Sequence, residues 1–430
     1  MQHHPAAQLS SSQLEREIQS ALMQGHEARA KSIANTLLEH HPENALALEV
    51  AAQCAMRARE YSQARDRFEK LAKLHPNPLH WINAAQACAQ LEDEQGEAQA
   101  IQQALILEPT HLIALICKAR MLERQGDRHK AAVAHGAVAA VAPPIDQLSP
   151  DLRSAVIHGM QYRDAYNREF GKFLDDRLTD QVDALSARER ERFMLAVDIM
   201  TGRKRRYDSQ SMVFHYPGLV PVEFFDRSRF AWLDQFEART DEVREEFLQV
   251  LQSEEGFVPY LTYPPGSPVN QFAELNNSPN WSAYHLKQAG MIVEDHARKC
   301  PVTMELLSKA PQPEQPGRTP AAMFSILKPR TRIPAHVGVS NTRLITHVPL
   351  IIPERCGFRV GNTTREWVPG QAWVFDDTVE HEAWNMSDKM RVILMFDVWH
   401  PDLDLGERQL ITELMSSVNR FTGDLSIYEL

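Results

Sequence analysis

Three histidines and one arginine in the C-terminal third of the chain are of the types that bind metals or carboxylates. They are His336, His347, His381 and Arg391. Imidazole is a suitable ligand for Fe(II), and an iron that must also bind other molecules needs only a few protein ligands on one face. His336 and His381 are 45 residues apart, which is consistent with two different strands of one β domain. Arg391 follows ten residues later and could hold a carboxylate through two parallel hydrogen bonds.

Short β-rich segments separated by Gly and Pro turns must position these side chains. From Met323 onward the predicted strands are Met323–Leu327, Arg343–Ile352, Gly357–Val360, Ala372–Phe375, Glu380–Asn385 and Arg391–Trp399. Many short strands of this kind predict a double-stranded β-helix, that is, a cupin-like jelly roll whose mouth is lined by inward-facing residues. Taken alone, histidines and an arginine on strands are a weak signal, because a single histidine in such a segment is more often structural.

Regularly spaced prolines divide the N-terminal part of the chain. Separated by 34, 33 and 34 residues, they are Pro42, Pro76, Pro109 and Pro143. The segment Tyr61–Ala64, followed by Phe68, resembles the second helix of a tetratricopeptide repeat. Residues 11–144 are therefore predicted to form an α-solenoid of four such repeats. Its groove would bind a peptide or protein partner or, alternatively, the repeats would only scaffold or dimerise the protein.

Composition and charge exclude several other classes of protein. Lys+Arg 46 against Asp+Glu 57 gives a net charge of −11, which argues against a nonspecific nucleic-acid partner. The apolar stretches are shorter than the roughly 18 residues of a membrane helix, and the N-terminus does not resemble a signal peptide. We therefore expect a cytoplasmic protein without an integral membrane segment.

A charged helical connector is predicted over residues 145–212, and the β domain over residues 213–430, giving an α+β multidomain chain.

The residues around the candidate site share a longer pattern with a known family. This pattern comprises Arg332–Leu344, His347, Val360–Asn362, Trp367, Gly370, Phe375–Asp377, His381–Asn385 and Arg391–Pro401. It closely resembles the aspartyl/asparaginyl β-hydroxylase family, whose members are 2-oxoglutarate-dependent Fe(II) oxygenases. The resemblance is specific over Met323–Asp402 and weaker back to Phe214. An N-terminal tetratricopeptide array is also a known arrangement in this family.

The resemblance implies which residues would bind the metal. His336 and His381 match the two iron ligands. Gly338 stands where the common facial triad of such oxygenases has an acid, and the family is unusual in lacking that acid. Its absence here supports the resemblance, since water can occupy the third position. The neighbouring Asp376 and Asp377 precede His381 closely enough to suggest a contact with a metal ligand, but the favoured expectation is a turn with solvated acids.

The resemblance also implies how cosubstrate and substrate would be held. Arg391 matches the arginine that binds the distal carboxylate of 2-oxoglutarate, assisted by a serine that matches Ser325. His347 matches a residue near the C1 carboxylate of the same molecule. Arg343 matches a basic residue that contacts an acidic substrate side chain. One departure is Ile345, which stands where animal members have a second arginine.

These roles imply a dioxygenase that uses O2, 2-oxoglutarate and Fe(II) to hydroxylate the β-carbon of Asp or Asn residues in a peptide or protein. A lipid acyl-chain hydroxylase of the same superfamily is one alternative. A repeat scaffold whose β domain has lost activity is another, although the intact set of His336, His381 and Arg391 argues against it.

Overall fold

A computed structural model describes residues 10–253, 255–315 and 317–423 of the chain. Residues 1–9, and residues 424–430 at the end of the predicted β domain, lie outside the described residues. Internal contacts divide the chain into two units, Met1–Arg203 and Lys204–Leu430. Among the described helices, none is long and apolar enough to cross a membrane.

Helices make up the described part of the first unit. They are α1 (Ser11–Met23), α2 (Glu27–His40), α3 (Ala45–Arg57), α4 (Tyr61–Leu74), α5 (Pro78–Gln90), α6 (Glu94–Leu107), α7 (Leu112–Arg124), α8 (Arg128–Val141), α9 (Pro150–Asp183) and α10 (Ala187–Met200). The first eight have nearly equal lengths and form four pairs, and each packs against the next. This part of the chain is therefore a helical array of the kind predicted, and its assignment as a domain over residues 11–144 stays a prediction.

The turn inside each helix pair depends on one left-handed residue. The four residues have φ angles of +72°, +61°, +57° and +74° and are Gly25, Arg59, Glu92 and Gly126. They are separated by 34, 33 and 34 residues, the same spacings as the prolines. Glycine adopts this conformation without strain, and Arg59 and Glu92 show that the fold imposes it even where glycine is absent.

Two antiparallel sheets make up the described β structure of the second unit. The seven-stranded sheet has the order β1-β2-β4-β11-β6-β9 with β3 beside β2, and the four-stranded sheet has the order β5-β10-β7-β8. Their bounds are β1 (Val258–Pro259), β2 (Trp281–Gln288), β3 (Met291–Ile292), β4 (Ala322–Leu327), β5 (Thr331–His336), β6 (Arg343–Ile351), β7 (Cys356–Val360), β8 (Thr363–Arg365), β9 (Trp373–Phe375), β10 (His381–Asn385) and β11 (Arg391–Trp399). The helices of this unit are α11 (Leu233–Ala238), α12 (Thr240–Gln252), α13 (Glu294–Ala297), α14 (Pro301–Leu307) and α15 (Leu405–Thr422).

Strand β5 is absent from the predicted strands, and its proline explains why. Pro334 lacks a backbone N–H and therefore suggests a turn rather than a strand. In the structure β5 is an edge strand whose only strand neighbour within the described chain is β10. An edge position tolerates proline because one side of the strand needs no ladder partner.

The larger sheet is buried on both faces. On β11, Leu394, Phe396 and Val398 pack with helix residues such as Phe247 in one apolar cluster. The alternate residue Ile393 joins a second cluster between the two sheets, together with residues of the smaller sheet. Because side chains of a strand alternate between faces, β11 presents one set to the helices and the other to the space between the sheets.

Gly357 on β7 tests how tightly the smaller sheet packs. A Cβ at this position would overlap the Trp384 ring on the neighbouring strand β10. We expect Gly357→Ala to lower the free energy of unfolding of the second unit by about 1–3 kcal/mol, the usual cost of overpacking. Chemical denaturation followed by tryptophan fluorescence measures this. Gly406→Ala is the matched control, since a Cβ there meets its nearest atom at 3.4 Å, and equal stability of both variants would contradict the prediction.

Candidate active site

A cavity of about 350 Å³ lies between the two sheets of the second unit. Residues of β2, β4, β6 and β11 line it from the larger sheet, and residues of β5, β7 and β10 line it from the smaller one. Five of the six residues to which the sequence assigns a binding role share this lining, namely Ser325, His336, His347, His381 and Arg391. The fold therefore brings together residues that are up to 66 positions apart in the chain.

His336 and His381 form a cross-strand pair. They are direct partners in the register of β5 with β10, and their ring centroids are 4.1 Å apart. Each ring is oriented through Nδ1, which lies 2.7 Å from the Pro334 carbonyl oxygen in His336 and 3.1 Å from the Val379 carbonyl oxygen in His381. A backbone contact at Nδ1 leaves Nε2 available for a metal, which is the usual arrangement of a ligating histidine.

Burial keeps both imidazoles neutral. Desolvation lowers the pKa of His336 to about 3, and the neighbouring His381 contributes to this shift. Desolvation also lowers the pKa of His381 to about 4. A neutral imidazole has a free lone pair, so the pair is in the protonation state that metal binding requires. Two adjacent neutral histidines on a cavity wall can hold a divalent metal ion.

Arg391 is a buried cation on the wall formed by the larger sheet. Its side chain is 1% exposed, and burial lowers its pKa to about 10. Nη1 donates to the carbonyl oxygen of Ser325 at 3.3 Å and lies 3.5 Å from the Ser325 hydroxyl, whereas Nε has no hydrogen-bond partner among the described residues. A buried guanidinium without a carboxylate partner is suited to bind an anion that enters the cavity.

Aromatic residues fix the position of this arginine. The guanidinium carbon of Arg391 lies 5.0 Å from the centroid of the Trp367 ring, a cation–π contact. The Trp367 Nε1 donates to His347 Nδ1 at 3.4 Å, and the pKa of His347 lies well below its usual range because the ring is fully buried. Trp367, which is itself bonded to His347, therefore helps to hold the arginine in place, a role that its type and sequence position did not indicate.

Arg343 does not line this cavity. It is 4% exposed, borders a separate and smaller cavity, and its Nη2 lies 3.4 Å from Asp377 Oδ2. Ile345, which stands where animal family members are expected to have a second arginine, lines the main cavity with an apolar side chain. The contact between Arg343 and an acidic substrate stays a prediction, and in this structure the charge of Arg343 is directed at Asp377.

Two acids expected to be solvated are instead buried. Asp376 and Asp377 are 2% and 4% exposed, and desolvation raises the pKa of both, that of Asp376 to about 6. The expectation of a solvated turn is wrong because this turn packs against the segment after β5. There the Gly338 N–H donates to the Asp377 carbonyl oxygen at 2.6 Å.

Asp377 occupies the space in which the triad acid was expected. A Cβ on Gly338 would overlap the Asp377 carboxylate. Asp377 Oδ1 is buried without a hydrogen-bond partner in the described structure, and the side chain lines the cavity beside His336. Position 338 itself has no carboxylate. Asp377, in the connection between β9 and β10, places one next to the histidines instead.

Asp397 is a second buried acid on the cavity wall. It lies on β11, six residues after Arg391 and therefore on the same face of the strand. Oδ1 accepts from the Ala321 N–H at 3.1 Å, Oδ2 has no partner among the described residues, and burial raises the pKa of the carboxyl to about 6. The even spacing from Arg391 is the sequence signal that could have identified it.

An ion-pair ladder on the outer face of the smaller sheet supports the histidine strand. Glu382, which follows His381 and points to the opposite face, bonds Arg332 of β5 and Arg359 of β7. The Arg359 Nε to Glu382 Oε1 distance is 2.6 Å. These cross-strand pairs hold β10 between its two neighbours, and so fix the register that places His381 opposite His336.

The second unit is thus a two-sheet β domain with a candidate metal site and an anion site in one cavity. A family model described as aspartyl/asparaginyl beta-hydroxylase matches residues 237–401. Human aspartyl/asparaginyl beta-hydroxylase is 38% identical over 137 residues, which is 31% of this chain and 18% of that protein. Ornithine lipid ester-linked acyl 2-hydroxylase of Rhizobium tropici is 31% identical over 196 residues, 45% of this chain and 66% of that protein.

Through its second unit, the chain belongs to the aspartyl/asparaginyl β-hydroxylase family. The matched part spans 18% and 21% of the human and mouse relatives of that name. Among solved structures, a MamA protein aligns with a TM-score of 0.32 and 16% identity, covering 41% of this chain and 96% of that chain. The tetratricopeptide protein YrrB aligns with a TM-score of 0.31 and 18% identity, covering 41% and 88%.

The overlap at position 338 predicts the result of restoring a triad acid. Because the space is occupied by Asp377, we expect Gly338→Asp to displace that carboxylate, to destabilise the second unit and to bring no gain in Fe(II) affinity. Melting temperature and Fe(II) titration under anaerobic conditions measure both effects. The double variant Gly338→Asp with Asp377→Gly removes the overlap and is the matched comparison. Tighter Fe(II) binding by the single variant, with unchanged melting, would contradict the prediction.

Proposed function

We propose that this chain is a 2-oxoglutarate- and Fe(II)-dependent dioxygenase that hydroxylates the β-carbon of Asp or Asn residues in a peptide or protein. The observation that carries the proposal is the arrangement in one cavity of two adjacent neutral histidines and a buried arginine without a carboxylate partner in the described structure. Family membership supports hydroxylation as the reaction class. We also infer that the two sheets form a double-stranded β-helix.

The histidine pair fits iron. His336 and His381 would hold Fe(II) through Nε2, since Nδ1 of each ring is used by a backbone carbonyl. Two protein ligands leave more open positions than a three-residue triad does. When bound, Fe(II) supplies the coupled chemistry in which 2-oxoglutarate and O2 become succinate and CO2 while a substrate C–H becomes C–OH.

Arg391 and its neighbours fit the distal carboxylate of 2-oxoglutarate. The guanidinium is rigidly held by Trp367 and Ser325, so it can form a paired set of hydrogen bonds with a carboxylate at little entropic cost. Burial strengthens this attraction because water is excluded. His347 lies on β6, next to β11 in the larger sheet, and lines the same cavity as Arg391 and the histidine pair, which is consistent with a contact near the other carboxylate.

The walls of the cavity exclude water from the reacting atoms. Tyr260 stacks on Trp281 with ring centroids 3.9 Å apart, and Phe272 packs edge-on against His336 at 5.3 Å. These apolar surfaces limit solvent access to the two histidines. The chain's own contribution is therefore to orient the cosubstrate, to keep both imidazoles neutral and to keep the site dry. The stacked helix pairs of the first unit offer a groove for a peptide or protein partner.

Acyl-chain hydroxylation is a second candidate, favoured by the chemistry of the cavity lining. Ile345 lines the cavity where animal relatives are expected to have an arginine, and Arg343 is paired with Asp377 rather than presented to a substrate. The 31% sequence identity with a lipid hydroxylase, over 66% of the length of that protein, supports acyl-chain hydroxylation. Peptide hydroxylation and acyl-chain hydroxylation are distinguished by which class of substrate, peptide or acyl lipid, gains oxygen.

Turnover assays test the proposal. The full chain with Fe(II), ascorbate, 2-oxoglutarate and O2 should form succinate, and a panel of Asp- and Asn-containing peptides should include members that gain 16 Da. His336→Ala and His381→Ala should lower Fe(II) affinity and turnover, because each removes one of two protein ligands. The surface variant His215→Ala is the control. Oxygen gain only by acyl lipids would favour the second candidate, and succinate formation unaffected by either variant would refute the metal assignment.

Arg391→Ala is expected to raise the 2-oxoglutarate concentration needed for half-maximal turnover by at least about tenfold. A charge-assisted pair to a carboxylate contributes roughly 1.5–3 kcal/mol, and each 1.4 kcal/mol corresponds to a factor of ten. Cosubstrate titration of succinate formation measures the change. Arg330→Ala is the control, since that arginine is half exposed and forms only a surface ion pair with Asp388. An unchanged titration curve would show that another residue binds the carboxylate.

A further inference from the structure

We propose that Glu123, His135 and His158 in the first unit form a binding site for one Zn²⁺ ion. Glu123 lies on α7, His135 on α8 and His158 on α9, so the three ligands come from three successive helices. One potential ligand atom of each residue lies within 4.8 Å of the others. The site uses none of the residues of the cavity in the second unit, and the proposal does not depend on the proposed function.

Both imidazoles converge on the same carboxylate. His158 Nε2 lies 3.0 Å from Glu123 Oε2 and 3.1 Å from Oε1, and His135 Nε2 is hydrogen bonded to Oε1. In a tetrahedral zinc site with bonds of about 2.0–2.1 Å, neighbouring ligand atoms are roughly 3.3 Å apart. Each imidazole nitrogen is therefore close to the Glu123 carboxylate, and because all three ligand atoms lie within 4.8 Å of one another, side-chain rotations that widen the two hydrogen-bonded contacts would admit the ion.

The ligand types select the metal. Two imidazoles with one carboxylate are a known donor set for Zn²⁺, with water or another ligand in the fourth position. Ca²⁺ and Mg²⁺ prefer sites made of oxygen ligands alone. The anionic carboxylate of Glu123 also offsets part of the charge of the ion. We therefore expect binding of Zn²⁺ but not of Mg²⁺ at similar concentrations.

Packing holds the inner histidine in position. His135 is 3% exposed, and a Cβ on Gly159 of α9 would overlap its Nδ1, so glycine leaves room for the ring. Tyr162 packs against both imidazoles, with ring centroids at 5.2 Å and 6.3 Å. Within the described structure, the contact with Glu123 is the only hydrogen bond of the His135 ring. Restricted side chains lose little entropy when they bind a metal.

The outer ligand leaves access for the ion. The His158 side chain is 53% exposed and borders a shallow groove along α9 formed with Pro150, Arg153, Ser154, Ile157 and Gln161. Zn²⁺ can enter from this side, and a water molecule can take the fourth position. A bound ion would connect α9 to the last helix pair of the repeat array, and so stabilise that end of the solenoid.

The alternative is an ion-pair network without a metal function. Glu123 would then only accept hydrogen bonds from the buried His135 and the exposed His158. Such a network predicts no measurable Zn²⁺ affinity beyond that of an ordinary protein surface. Direct metal titration separates the two readings.

The experiment uses the full chain with His336→Ala and His381→Ala, because these changes remove the other candidate metal site. After chelator treatment and its removal, calorimetric titration with ZnCl2 should show one ion per chain with a dissociation constant in the micromolar range or below. Zn²⁺ should also raise the melting temperature of the helical circular dichroism signal, and MgCl2 should not. Absence of saturable binding up to 100 μM Zn²⁺ would overturn the proposal.

Variants in the same background identify the ligands. His158→Ala changes an exposed side chain, so the fold should persist, and we expect Zn²⁺ affinity to fall at least tenfold with loss of the melting shift. Glu123→Gln retains a hydrogen-bonding group but loses the charge and should weaken binding similarly. His129→Ala is the matched control, because His129 is an exposed histidine of α8 that contacts Tyr166 instead. Wild-type affinity in both His158→Ala and Glu123→Gln would also overturn the proposal.

Discussion

A buried, positively charged arginine is the constraint on which the second unit depends. Taking a guanidinium out of water is unfavourable unless polar or anionic groups surround it. The hydrogen-bond partners of Arg391 within the described structure are the Ser325 oxygens, its guanidinium lies over the face of Trp367, and its lowered pKa reflects the cost of burial. The two sheets and their apolar clusters therefore keep this cation out of contact with bulk solvent. An anion that entered the cavity would offset part of this cost, because charge-assisted hydrogen bonds to a guanidinium are strong.

Strand alternation links this constraint to the sequence. On β11, the helix-facing residues Leu394, Phe396 and Val398 provide the packing that offsets the polar side, which carries Arg391 and Asp397. Because the period of two is visible in the sequence, the strand and its arginine could be predicted. The four helix pairs were predictable for a similar reason, since their spacing repeats along the chain. A pattern that repeats locally along the chain predicts helices and strands from the sequence alone.

Features that depend on contacts between distant segments could not be predicted from the sequence. Asp376 and Asp377 resemble solvated turn acids, and only the packing of their turn against Gly338 shows that they are buried. Arg343 lies on β6 with the cavity residue His347, but its guanidinium contacts Asp377 and does not line the main cavity. Strand β5 was hidden by its proline. In each case the deciding contact joins segments whose relative placement no local pattern encodes.

The acid beside the histidines shows how a local departure can leave the chemistry of a site intact. A glycine at position 338 reads as a missing ligand when the chain is compared with the common triad. Its lack of a side chain is, however, what allows the Asp377 carboxylate to lie over the backbone next to His336. A carboxyl group is therefore still present beside the histidine pair, but it is held by a turn and by Arg343 and does not lie two residues after the first histidine. The cavity histidines and this acid are therefore brought together by the packing of separate segments and not by a short sequence motif.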